Sequence, residues 1–128
     1  MAIRLKFALF NANQLFSPII GEYKYTLTRL KLLSGIISPQ LKKYHRIPSK
    51  KLPLTVKITF VINKINYEPT CFLILTHKIL NLLKLNDIIQ DTNESCIKSL
   101  IIEHKTTELP DAEGCIIEFM AQNTDSHS

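Results

Sequence analysis

The sequence predicts an α+β domain, a small mixed β-sheet with two helices in the order strand, helix, strand, helix, strand, strand. Three observations predict it. Residues 3–10 and 54–62 alternate apolar and polar side chains with the period of two of a half-buried strand. Residues 22–33 and 72–85 instead space their apolar side chains three and four apart, as one face of a helix does. Residues 97–105 and 114–120 are two further strand-like runs joined by a turn-rich link. At 128 residues, 45% hydrophobic and 21% charged, the chain suits one packed core and lies far from the composition of disordered segments.

In the first strand Ile3, Leu5, Phe7 and Leu9 alternate with Arg4, Lys6 and Ala8. Residues 11–21 carry Asn, Ser, Pro and Gly in turn positions and read as a loop. Tyr23, Leu27, Leu30 and Leu33 make the first helix face, with Gly35 as a candidate stop and Pro39 interrupting continuation, and residues 40–44 are open to one further turn. Leu54, Val56, Ile58, Phe60 and Ile62 form the clearest strand. Phe72, Leu75, Ile79, Leu82 and Leu83 then define a core helix with Thr70 as its N-cap. Residues 86–95 read as a polar, acidic turn. The domain is placed at 1–120, and 121–128 is a polar tail expected to fray.

Several function classes lack their parts. Cys71, Cys96 and Cys115 form no C-x-x-C pair, so the expectation is reduced, buried thiols rather than a zinc ribbon or a disulfide framework. There is no glycine-rich phosphate loop, no H-E-x-x-H and no G-x-S-x-G. His45, His77, His104 and His127 are scattered singly. The opening MAIRLKFALF has cations inside its apolar run and no small-residue cleavage site, and no segment reaches the length of a membrane span. A cytoplasmic protein without membrane contact is expected.

Charge divides the chain. Residues 1–64 hold twelve Lys and Arg against Glu22 alone, a net of +11, while residues 65–128 hold four Lys against ten acids, a net of −6. The first half reads as a surface for a polyanion. Its candidate contacts are Lys24, Arg29 and Lys31 on the first helix and Lys42, Lys43, Arg46, Lys50 and Lys51 in the Pro-framed cluster that follows. Among the acids, Asp87, Asp91 and Glu94 are the candidates for a metal, against the plainer reading of a solvated turn.

A strand VKITFVI, a helix running into NLLKLNDIIQDTNES, a strand CIKSLIIEHK and a closing CIIEF together give residues 56–119 a frame that resembles the RusA family of Holliday junction resolvases. The resemblance implies a homodimeric, magnesium-dependent endodeoxyribonuclease of DNA recombination and repair, found in phages and prophages. Such members hold Mg²⁺ with carboxylates of a D-x-D-N motif at the helix start and of a later D-D pair, aided by a lysine. Hard oxygen ligands must converge on the metal for phosphodiester hydrolysis. Here the D-x-D-N positions are Cys71, Phe72, Leu73 and Ile74, the lysine position is His77, and the D-D pair is Asp91 and Thr92. Both helix-start aspartates are absent, and no register shift restores them.

The resemblance therefore implies a catalytically inactive domain that binds DNA, branched or duplex, without a metal cofactor. One alternative is a phage or mobile-element interaction protein that uses the fold to bind or inhibit a host protein. A divergent Mg²⁺-dependent junction endonuclease with a rebuilt acidic site is the other.

Overall fold

The computed structural model describes residues 2–7, 23–48, 51–63, 69–93 and 95–121; for 23–30, 69–71, 110 and 121 it describes the backbone alone. The expected element order is found: β1 (Ala2–Lys6), α1 (Tyr23–Leu41), β2 (Leu54–Ile62), α2 (Pro69–Leu85), β3 (Ile97–Thr106), a 3-10 turn (Pro110–Ala112) and β4 (Gly114–Ala121). The expected loop at 11–21 and the residues of the tail after Ala121 lie outside the described residues.

The four strands form one mixed sheet in the order β1-β4-β2-β3. The crossover through α2 makes β2 and β3 parallel, and β4 inserts antiparallel between β1 and β2. Strand alternation then sorts the side chains. Ile3, Leu5, Val56, Ile58, Phe60, Cys115, Ile117 and Phe119 all join one buried cluster with Leu33, Ile37 and Leu41 of α1 and Leu75, Ile79 and Leu83 of α2. Both helices thus cover one face of the sheet. The opposite face carries Arg4, Lys6, Lys57 and Ile116, and among the described residues no α-helix packs against it.

The first helix does not stop at Gly35. It continues through Pro39 to Leu41 because Ile37 and Leu41 repeat the four-residue spacing of Leu33, and all three are fully buried. Burying each aliphatic side chain is worth about 1.5–3 kcal/mol, which offsets about 1 kcal/mol for an interior Gly and about 3 kcal/mol for an interior Pro. Gly35 and Pro39 also lie on the exposed side, where water can satisfy the carbonyl that Pro39 leaves without a helical donor. The end of α1 is tied to β1 by polar groups. Gln40 accepts from Lys6 N–H and donates to Lys6 C=O, both at 2.8 Å, and the Tyr44 hydroxyl accepts from Arg4 N–H at 3.3 Å.

The second helix begins at Pro69, so Thr70 lies inside its first turn rather than capping it. Proline suits a first helical position, since its missing N–H would have had no partner there. The helix ends in a Schellman motif. Ile88 N–H bonds Leu83 C=O at 2.9 Å, Asp87 N–H bonds Lys84 C=O at 3.0 Å, and Asp87 takes the left-handed conformation at φ 59°. This turns Ile88 and Ile89 into the core, a burial that the expected polar turn did not include.

Two glycines differ in what holds them. A Cβ at Gly35 would meet nothing, whereas one at Gly114, at φ 151°, would overlap the backbone carbonyl of Leu5 in the neighbouring strand. Gly35→Ala is expected to stabilise the fold by about 0.5–1 kcal/mol and Gly114→Ala to destabilise it by roughly 2 kcal/mol or more. Chemical denaturation of the two variants checks the pair.

Candidate nucleic-acid interface

The positions singled out for metal chemistry fall at opposite ends of α2. Cys71, Phe72, Leu73 and Ile74 occupy its first turns. Phe72 is buried and stacks on Phe60, with ring centroids 4.9 Å apart, and on His104 at 5.3 Å. Leu73 is 57% exposed, Ile74 is half-buried, and His77 is exposed one turn further on. Asp91 and Thr92 lie beyond the other end, where Asp91 pairs with Lys84 at 3.3 Å. At about 1.5 Å per residue, Cys71 and Lys84 are roughly 20 Å apart along the helix. One chain does not bring the two sets of positions together.

The acidic candidates are also engaged separately. Asp87 pairs with Arg46 at 3.3 Å, and Asp91 accepts hydrogen bonds from Thr92 N–H at 2.7 Å and from Asn93 Nδ2 at 3.3 Å. Glu94 lies outside the described residues. Among the described residues no three His, Cys, Asp or Glu side chains form a cluster that could hold a metal ion. The Thr92 N–H, and then Lys84, hold the Asp91 carboxyl below its ordinary range by stabilising the charged form.

The basic cluster is brought to that same end of α2. Chain reversal after α1 places residues 42–48 beside the acidic turn, and Ile47 N–H bonds Ile88 C=O at 2.9 Å. Buried Ile47 pins the segment, while Lys42, Lys43, His45, Arg46 and Lys51 stay exposed around it. Lys31 is exposed on α1. Lys24 and Arg29 lie on the earlier turns of α1, where only the backbone is described, and Lys50 is outside the described residues. Lys43 Nζ sits 5.4 Å from the centre of the Tyr44 ring. A small pocket of about 190 Å³ opens between His45, Arg46 and Lys51, floored by Ile47, Leu54 and Phe119. This apolar floor is not among the expected contacts, since nothing in linear spacing joins Phe119 to residues 45–51.

Cys96 and Cys115 are free, buried thiols, as expected, and burial pushes the Cys115 thiol far up, so it stays protonated and unreactive. Among the described residues no helix is long and apolar enough to cross a membrane. No family model matches the chain, and neither curated proteins nor solved structures contain a match.

The depressed Asp91 carboxyl has a signed consequence. A carboxyl whose folded pKa lies below its unfolded one adds stability above the unfolded value and loses it as pH falls through the folded value. The stability advantage of the wild type over Asp91→Asn is therefore expected at neutral pH and should vanish in acid, below the ordinary carboxylate range. Urea unfolding of both proteins across that range checks it, as does an NMR titration of the carboxyl.

Proposed function

We propose that the protein is a RusA-like, non-catalytic domain that binds DNA through the basic end of α1 and the segment after it. The observation that carries this reading is the anchored cluster. Buried Ile47 fixes a short segment on which Lys42, Lys43, His45, Arg46 and Lys51 are exposed together. Fixed cations on one end of a domain suit phosphate contacts, which position a protein on nucleic acid without reading bases. The Arg46–Asp87 pair is exposed on both sides and therefore weak, so a phosphate can displace the carboxylate. Apolar or aromatic side chains at Phe72, Leu73 and Ile74, and the separation of these positions from Asp91, support the absence of nuclease chemistry.

Four phosphate contacts would give a salt slope near −3.6 and cost about two orders of magnitude in affinity between roughly 50 and 200 mM salt. Mobility-shift titrations with a four-way junction and a linear duplex at those two concentrations are expected to show that loss. Replacing Lys42, Lys43, Arg46 and Lys51 together by Gln should abolish the shift. No binding to either DNA at low salt would overturn the reading and favour a protein partner, for which exposed Leu73 on α2 is the first contact to test. With Mg²⁺ or Mn²⁺ no cleavage of junction or single strand is expected; robust cleavage that disappears in Asp91→Asn would restore a metal to the acidic turn.

A further inference from the structure

A cleft larger than the pocket beside Arg46 lies elsewhere, on the sheet face opposite α1 and α2. It has a volume of about 570 Å³, inside the range of roughly 300–1,000 Å³ found for small-molecule sites. Alternation along the outer strands builds its charge. Arg4 and Lys6 point from β1 onto this face and Lys105 does so from β3, so the cations stand on opposite banks. Three strand spacings of about 4.8 Å put those banks roughly 14 Å apart, within reach of long basic side chains on both sides. Between them the floor is apolar, formed by Val61 of β2 and Ile116 of β4.

The end wall is fixed before any ligand arrives. Thr107 N–H bonds Ile62 C=O at 2.8 Å, Asn63 Nδ2 bonds Thr107 C=O at 3.0 Å, and Asn63 N–H bonds the Glu113 carboxylate at 2.8 Å. These bonds hold the link that presents Leu109 and Asp111 to the cleft. Elsewhere on this face Lys57 pairs with Glu103 at 3.3 Å and lies opposite Glu118 in the register, so one cation there faces two acids. Arg4, Lys6 and Lys105 make no ion pair among the described residues, so with Asp111 the lining carries a formal surplus of two positive charges.

The geometry points to a site for a phosphate monoester joined to a flat apolar body, the chemistry of a mononucleotide, either free or as the phosphorylated end of a strand. A monoester carries close to two negative charges at neutral pH, matching the surplus, and the floor between β4 and β2 offers apolar surface to the ring. The site is separate from the basic cluster after α1, so it stands or falls independently of the DNA-binding reading.

AMP titrated into the ¹⁵N-labelled full chain, with adenosine and inorganic phosphate as controls, tests the assignment. AMP is expected to shift the amides of Arg4, Lys6, Val61, Lys105 and Ile116, and each control should bind at least tenfold more weakly. Arg4→Glu and Lys105→Glu, made separately and checked for folding by circular dichroism, should each weaken AMP at least tenfold. The glutamine variant of the basic cluster should bind AMP unchanged. A 5′-phosphorylated tetranucleotide that competes with AMP identifies a strand end as the source; failure to compete identifies the free nucleotide, and either result supports the site. Shifts confined to residues 42–51, no shift at millimolar AMP, unaltered affinity in both reversal variants, or inorganic phosphate binding as tightly as AMP would overturn it.

Discussion

The structure depends on the insertion of β4 between β1 and β2. Among the described residues β1 pairs with β4 alone, so within the sheet its place relative to β2 is set through β4. The insertion requires Gly114, because its backbone comes against Leu5 more closely than any side chain would permit. Both faces inherit the result. On the helix side Cys115, Ile117 and Phe119 complete the core, and on the other side Ile116 lies between the cations of β1 and β3. Most of the pairings that create the domain join residues far apart in sequence, and assembling such a sheet means closing long loops before the contacts repay them.

The contrast in charge between the chain's halves becomes a pattern of contacts. Arg46–Asp87 and Lys57–Glu103 each join a cation of the first half to an acid of the second. Part of the acidic half therefore neutralises the basic half instead of forming a separate acidic surface. Among the described residues, cations without an ion pair include Lys42, Lys43 and Lys51 after α1 and Arg4, Lys6 and Lys105 on the face opposite the helices. These regions have different shapes. The first is a segment pinned by Ile47 with cations exposed along it, and the second is a cleft on the sheet face.

Periodicity made the architecture legible wherever burial alone decides the local structure. Strand β2 has the predicted bounds because its alternating residues face the core on one side and the less buried sheet face on the other. The end of α1 is not legible locally, because Gly35 and Pro39 are strong stop signals and the burial that overrides them comes from tertiary packing of Ile37 and Leu41. Ile88 and Ile89 were hidden among polar neighbours, since only the left-handed turn at Asp87 directs them inward. The basic cluster was legible because its residues are close in sequence. The second cationic site was not, as Arg4 and Lys105 are drawn together only by the strand order.

The sheet's two outer strands are finished differently. Gln40 and Tyr44 occupy hydrogen-bonding groups along β1, whereas β3 pairs on one side only among the described residues and leaves Leu100 and Ile101 about 40% exposed. An open strand of this kind is a template on which further chains can add, and the charges of Lys98, Glu103 and Lys105 are the barrier to such growth. That barrier is electrostatic and is screened by salt. Raising the ionic strength therefore weakens a safeguard that β3 carries in its own side chains.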